Sequence, residues 1–479
     1  MQQTVKPHAA PPPVAPDTAD HRPALDHLEE QTMPRPEHPR PDFQRDAWLN
    51  LNGRWRFSFD PQNSGEQLRW YHVPHPAVAA RTGEISGPIE DPFNSEIVVP
   101  FPWESRLSGV GDPNYKGAAW YQHAVEVPQE WAHPAGPPRP DAGGGSSGGA
   151  EAALPPAFPP PAGGPSPSPV AGPSPPPSIG AAGRPVSRPP VQWRRRPYLC
   201  FGAVDWSAKV WVNGRFVAEH DGGYTPFAVD LSRHVRPGVP ATVTVRVWDA
   251  CDADTPLGKQ TDEWYTHSGG IWQTVWLEGR PNPHLSRLHI TPYLPLPYLE
   301  TGRATFTMTI TATTETLPRP HQVTVESVDG QFPTVTQTVE VQGGATEATL
   351  EVEVPHPHPW SPEDPHLYDC KVTLAPLDPQ RGDGAAGGGD GAGKGHGDRL
   401  GDGRGEARSE ARDRGVADEV RTYFGLRSIS TGRWEGKPYE YVFLNGEPVY
   451  LRGVLDQAFH PDGLHTYPSD EAIRADVEA

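Results

Sequence analysis

The sequence predicts a mainly β protein: a jelly-roll sandwich, then a second β-sandwich, then a single βα unit at the C-terminal end. Three observations predict it. Apolar and polar residues alternate over short runs bounded by turn residues, the period of half-buried strands. Asn213-Gly214 and Asn445-Gly446 lie between apolar runs, where tight hairpins need positive φ. Near the end, Pro468-Ser469-Asp470-Glu471 supplies a cap and an acidic first turn ahead of Ile473 and Val477, which suit one helix face.

Composition narrows the function. Gly 50 and Pro 62 among 479 residues signal long segments with nothing to bury. A formal charge of −19 argues against nucleic acid or an anionic membrane surface as partner. No apolar run is long enough to span a bilayer. Residues 1–40 hold no apolar signal core, which points to a cytoplasmic chain. Cys200, Cys251 and Cys370 are odd in number and widely spaced. They are expected as free thiols in a reducing compartment rather than as disulfides or metal ligands.

In order along the chain, residues 1–40 are Pro- and His-rich and are expected as a disordered tail, with order from Phe43. The first sandwich is expected over 41–280. Its strands are Leu49–Phe59 with Trp55, Phe57 and Phe59 on one face, Ile97–Trp103 at an edge because of its prolines, and Trp120–Val127. Pattern then lapses over about 134–192, almost entirely Pro, Gly, Ala and Ser, read as a disordered insertion. It resumes with Pro197–Trp206, the hairpin Lys209–Val217, Thr242–Trp248 with Val243, Val245 and Val247 inward, and Ile271–Leu277. The second sandwich is expected over 281–423, led by Ala304–Ala312 with Phe306, Met308 and Ile310 inward, and interrupted over about 380–417. From 424 to 479, hairpin strands Tyr441–Leu444 and Val449–Val454 precede a polar loop and the helix. In the second insertion, Gly388–Lys394 nearly spells a phosphate loop. Gly395 replaces the needed Ser or Thr, however, and no strand precedes it.

Several of these runs resemble glycoside hydrolase family 2, which includes β-galactosidases, β-glucuronidases and β-mannosidases. Phe424-Gly425-Leu426-Arg427, Leu444-Asn445-Gly446 and Leu451-Arg452-Gly453-Val454 resemble the opening of its catalytic barrel. Gly202–Trp206 with Val210–Gly214, His220–Phe227 and Ser268–Trp276 resemble its sugar-binding domain, in order. Trp360–Tyr368 resembles a marker of its immunoglobulin-like middle domain. The resemblance implies a jelly-roll sugar-binding sandwich, an immunoglobulin-like sandwich, and the first βα unit of a TIM barrel that is cut short. It also implies retaining hydrolysis of terminal β-linked sugars, a carbohydrate substrate, no cofactor, and a homo-oligomer as an open state of the full-length enzyme.

Retaining chemistry needs two carboxyl groups about 5–5.5 Å apart. The family places both, as glutamates, on later barrel strands. A barrel takes roughly 250 residues, and residues 424–479 match neither glutamate, so no catalytic residue is expected in this chain. The alternative is a non-catalytic carbohydrate-binding or scaffold sandwich protein.

Substrate contacts remain. Asp456, Gln457 and His460 lie in the loop after the first expected barrel strand and can hydrogen-bond sugar hydroxyls. Asp456 serves equally as a loop-structuring carboxylate. Leu455-Asp456-Gln457-Ala458 also departs from the Asn-Arg-His-Glu run of the best-known β-galactosidases. Asp221 and Tyr224 occupy the loop that in relatives reaches toward the barrel, although a two-glycine turn explains them as well. Trp264, Tyr265, Trp272 and Trp276 can stack on sugar rings, and strand spacing also assigns them to the core. His460 and His465 have no third ligand at short spacing, so no metal site is expected.

Overall fold

In the computed structural model the described residues are 33–84, 87–134, 191–252, 260, 264–296, 302–314, 318–377 and 416–479. Nearly all of both expected insertions, the first 32 residues and Gly388–Lys394 lie outside them.

Twelve strands build the first sandwich: β1 (Trp48–Asn50), β2 (Gly53–Asp60), β3 (Ser95–Val99), β4 (Gly117–Glu126), β5 (Arg196–Phe201), β6 (Val204–Asp205), β7 (Ser207–Val212), β8 (Arg215–Asp221), β9 (Phe227–Asp230), β10 (Pro240–Asp249), β11 (Gly270–Ile271) and β12 (Val275–Arg280). One sheet runs β3-β2-β4-β10-β7-β8 and another β1-β12-β5-β9, with β6 and β11 as a short separate ladder. Pairing is antiparallel throughout. Apolar residues of the two larger sheets meet in one core: Trp55, Phe57, Tyr121, Val245 and Val247 from the first, Leu199, Phe201, Val275 and Leu277 from the second. The Asn213-Gly214 turn joins β7 to β8 with φ of 49° and 73°, as a tight hairpin requires.

Alternation predicts one buried face, yet the six-stranded sheet is covered on both. Trp120 points away from the main core and packs with Val73, Phe93 and Trp211. Its Nε1 donates to Asp60 Oδ2 at 3.1 Å, which satisfies the indole where water is excluded. Ile271–Leu277, expected as one strand, is divided: Gly270–Ile271 pairs with β6, and Val275–Arg280 pairs with β5 and β1. The chain changes sheets at Trp272.

Seven strands form the second sandwich: β13 (His284–Tyr293), β14 (Arg303–Thr314), β15 (Arg319–Ser327), β16 (Val335–Val341), β17 (Gly344–Pro355), β18 (Tyr368–Pro376) and β19 (Asp418–Phe424). They order as β13-β14-β17 and β16-β15-β18-β19. Phe306, Met308, Ile310, Val325, Val352, Val372 and Val420 close a separate core, as the alternation predicts.

The sandwiches are joined by an N-terminal arm that is packed earlier than Phe43, where composition predicts order to begin. Arg35 O accepts from Asn50 Nδ2 at 2.8 Å, and the His38 ring meets Trp48 edge-on at 4.6 Å. Phe43 then belongs to the second core although β1 and β2 belong to the first. Arg45, 3% exposed, binds Glu278 of β12 and Asp418 of β19 at once.

Beyond β19 the expected barrel strand is absent. The C-terminal part is a three-stranded antiparallel sheet, β20 (Ile429–Arg433), β21 (Glu440–Leu444) and β22 (Glu447–Val449), followed by the helix Asp470–Glu478. Ser469 caps that helix, its Oγ accepting from Ala472 N at 3.3 Å. Tyr450–Val454, expected to continue the strand, lie in none; Tyr450, Leu451 and Val454 are exposed, as is Leu455 in the loop that follows. An extended run becomes a strand only where a neighbour takes its backbone hydrogen bonds, and none is present among the described residues. No TIM barrel is therefore formed there. Trp360 N donates to Leu426 O at 2.8 Å and Asn445 Nδ2 to Trp360 O at 3.0 Å, so the Trp360 motif holds this hairpin to the second sandwich. Cys200, Cys251 and Cys370 are free and buried. Among the described residues no helix is long and apolar enough to cross a membrane.

Candidate functional site

The site is a groove of about 680 Å³ at one edge of the first sandwich. Tyr224 and Pro226 from the β8–β9 loop, Trp272–Thr274 from the β11–β12 crossing, the arm near His38 and residues 465–467 line it. Rings converge on His465: Trp272 at 5.3 Å, Phe459 at 5.4 Å and Tyr224 at 6.0 Å between centroids. Tyr265 meets Phe459 at 5.1 Å on the same side. Ring faces and edges offer the flat apolar contact that sugar C–H faces need, while Tyr and His tips offer hydrogen bonds.

Two contacts seat the C-terminal loop on the sandwich. Ser105 Oγ donates to Asp462 O at 2.6 Å, and Thr466 Oγ1 donates to Trp272 O. Within the loop, His460 pairs with Leu464, and its Nδ1 accepts from the Asp462 and Gly463 amides, each at 3.1 Å. His460 is thus engaged in shaping the turn that presents His465. Asp456 is exposed and accepts from Ala458 N at 2.7 Å through Oδ1, closing its own turn. Gln457 is half-buried beside it. Asp221 ends β8, opposite Ser207, with its side chain exposed. Of the five residues named from sequence, Tyr224 alone lines the groove; Asp456, Gln457, His460 and Asp221 do not. Trp272 and Trp276 line it while being largely buried, and Trp264 is 79% exposed.

Beneath the groove lie carboxyls that sequence reading passed over. Asp205, 4% exposed, accepts from Gln260 Nε2 at 2.8 Å. Glu104, 5% exposed, accepts from Gly269 N with both oxygens, at 3.0 and 2.9 Å. Burial pushes the Glu104 carboxyl well above its ordinary range, opposed by the Gly269 bond and assisted by Asp249 and Asp205. Asp249 is likewise raised by burial, while Cys251 donates to it through N at 3.0 Å and Sγ at 3.2 Å. Among the described residues no three His, Cys, Asp or Glu side chains converge as a metal cage. The available signal for Asp205 was a carboxylate inside the apolar run Phe201–Trp206, where a strand buried on both faces has no place for an unpartnered charge.

Comparison with known proteins agrees with this architecture. The family described as "Glycosyl hydrolases family 2, sugar binding domain" matches residues 190–281. "Glycosyl hydrolases family 2" matches residues 284–380. A β-galactosidase of Thermoanaerobacter pseudethanolicus is 28% identical over 263 residues, 54% of this chain and 29% of that protein. A putative β-glucuronidase of Formosa agariphila is 27% identical over 280 residues, 58% of this chain and 28% of that protein. The chain thus spans under a third of these curated relatives. Among solved structures, a β-glucuronidase from Ruminococcus gnavus superposes with TM-score 0.53 at 17% identity, covering 91% of this chain and 54% of the other. The Bacteroides uniformis β-glucuronidase gives TM-score 0.53 at 19% identity, covering 90% and 37%. Both matched regions fall on the two sandwiches in sequence order, so residues 190–281 and 284–380 are similar to the sugar-binding domain and the domain that follows it in glycosyl hydrolases family 2.

Proposed function

We propose that this chain is the sugar-recognising front of a retaining β-glycosidase that acts on terminal β-linked sugars, β-glucuronides or β-galactosides. The observation that carries the reading is the ring set of Tyr224, Trp272 and His465, with Phe459 packed edge-on against His465. The first three come from the sugar-binding sandwich and from the loop after β22, and they open onto one groove. Such a set grips a sugar ring by its apolar face and leaves its hydroxyls to polar tips.

The bond-breaking pair is not supplied by residues 1–479 in this reading. A general acid and a nucleophile must touch the scissile bond. Glu104, Asp205 and Asp249 are 5%, 4% and 2% exposed and are engaged with protein groups. The test uses the purified chain with methyl β-D-glucuronide and methyl β-D-galactoside for binding, and their aryl counterparts for turnover. Binding of at least one glycoside without turnover is expected. Turnover above a heat-denatured control, or no binding to either glycoside, would overturn the reading.

A further inference from the structure

The loop that presents Tyr224 rests directly on the Asp205 carboxyl. A Cβ placed on Gly223 would collide with Asp205 Oδ1, so the backbone lies as close as a glycine permits. Gln260, 1% exposed, ties this pair to the groove. Its Nε2 donates to Asp205 Oδ2 at 2.8 Å and to Tyr224 Oη at 2.7 Å, while its Oε1 accepts from Ser268 N at 2.7 Å. Trp272 Nε1 donates to Gly223 O at 2.7 Å. A carboxyl that lines no part of the groove thus reaches Tyr224 through the Gln260 amide, and Trp272 through the Gly223 backbone that rests on it.

We propose that Asp205 is a positioning residue of the sugar site, its proton setting how Tyr224 and Trp272 are held. The inference rests on reading the groove as a sugar site.

The electrostatics support a switch in the neutral range. Burial first, and repulsion from Asp249 second, raise Asp205 to about 7 against the lowering bond from Gln260. Among the described residues, the charged or titratable groups facing it are Asp249 at the end of β10, Glu104 after β3 and Tyr224 in the loop above. His267 and Lys116 act on Asp249 from the far side. Below pH 7 the carboxyl is neutral and shares Gln260 with Tyr224. Above it, the buried anion draws the Gln260 amide to itself, faces no cation among the described residues, and loosens the loop. The sign follows: sugar affinity is greatest on the acid side and falls as pH rises through 7.

The experiment follows the indole N–H of Trp272 by NMR in tryptophan-labelled protein from pH 5.5 to 8.5, with and without methyl β-D-glucuronide or methyl β-D-galactoside. Wild type is expected to show a midpoint near 7 in the free protein and an affinity that falls about fivefold across it. Asp205→Asn, a neutral isostere, should lose the midpoint and keep the low-pH affinity. Gln260→Ala should make affinity independent of pH. A flat Trp272 resonance in wild type, a midpoint unchanged in Asp205→Asn, or wild-type pH dependence of affinity in Gln260→Ala would each overturn the proposal. Should neither glycoside bind, the sugar reading falls while the free-protein titration still decides the coupling.

Discussion

Arg45 and Asp418, 373 residues apart, form a two-pronged ion pair: Nε to Oδ1 at 2.9 Å and Nη2 to Oδ2 at 2.8 Å. The same guanidinium holds Glu278 Oε1 at 2.5 Å and donates to Leu285 O. One side chain therefore satisfies a buried carboxylate from each sandwich. Removing it strips Asp418 of its guanidinium partner and leaves Glu278 to Arg280. Arg45→Met is expected to cost about 3–5 kcal/mol, because an uncompensated buried charge is far worse than no pair. Urea unfolding of the two proteins side by side checks this, and a loss under about 1 kcal/mol would mean the carboxylates find water or protons cheaply.

Glu278 makes the joint acid-sensitive. Burial alone would raise its carboxyl, but Arg45 and then Arg280 outweigh it and hold it at about 2. Its folded value lies below its unfolded one, so its contribution is present above the ordinary carboxylate range and lost as pH falls toward 2. That contribution is about 3 kcal/mol at neutral pH. Urea midpoints from pH 6 down to 2 should fall more steeply in wild type than in Glu278→Gln.

The arm also contributes by packing. Phe43 is 2% exposed inside the second core, although the strands that follow it belong to the first. Phe43→Ala is expected to destabilise by about 3–5 kcal/mol. Amide exchange should report the loss mainly in β15, β18 and β19. Equal loss in β4 and β10 would show that the sandwiches unfold as one unit.

Tyr224 is 43% exposed, so truncating it should leave the fold nearly intact and weaken the groove. Tyr224→Ala is expected to lower affinity for the bound glycoside by about tenfold, with stability within about 1 kcal/mol. A large fall in melting temperature with unchanged affinity would place Tyr224 in the scaffold instead.

Much of this was legible from residue order. Phe306, Met308 and Ile310 alternate with threonines, and that rhythm alone places β14 against its core. Asn213-Gly214 announces its hairpin. Legibility fails where burial is two-sided: Trp120 and Tyr121 are both 0% exposed on opposite faces, so neither can be assigned to a side by period. It fails again at Trp272, where the chain leaves one sheet for another without a break in its apolar run. The site was half visible. Gly222-Gly223-Tyr224 marks a loop by composition, but Asp205 gains its meaning from Gln260, 55 residues further on, through a contact no local pattern encodes.

The seam between Ala132 and Trp193 has its own consequence. These two residues pair as an antiparallel bridge, and the Arg194 and Arg195 amides both donate to Trp131 O at 2.9 Å. The polypeptide thus departs and returns through a fastened doorway, and closure entropy rises only slowly with the number of residues passed through it. Evolution or an engineer can shorten, lengthen or replace what lies between, a reporter domain included, and the sandwich behind the doorway keeps its register.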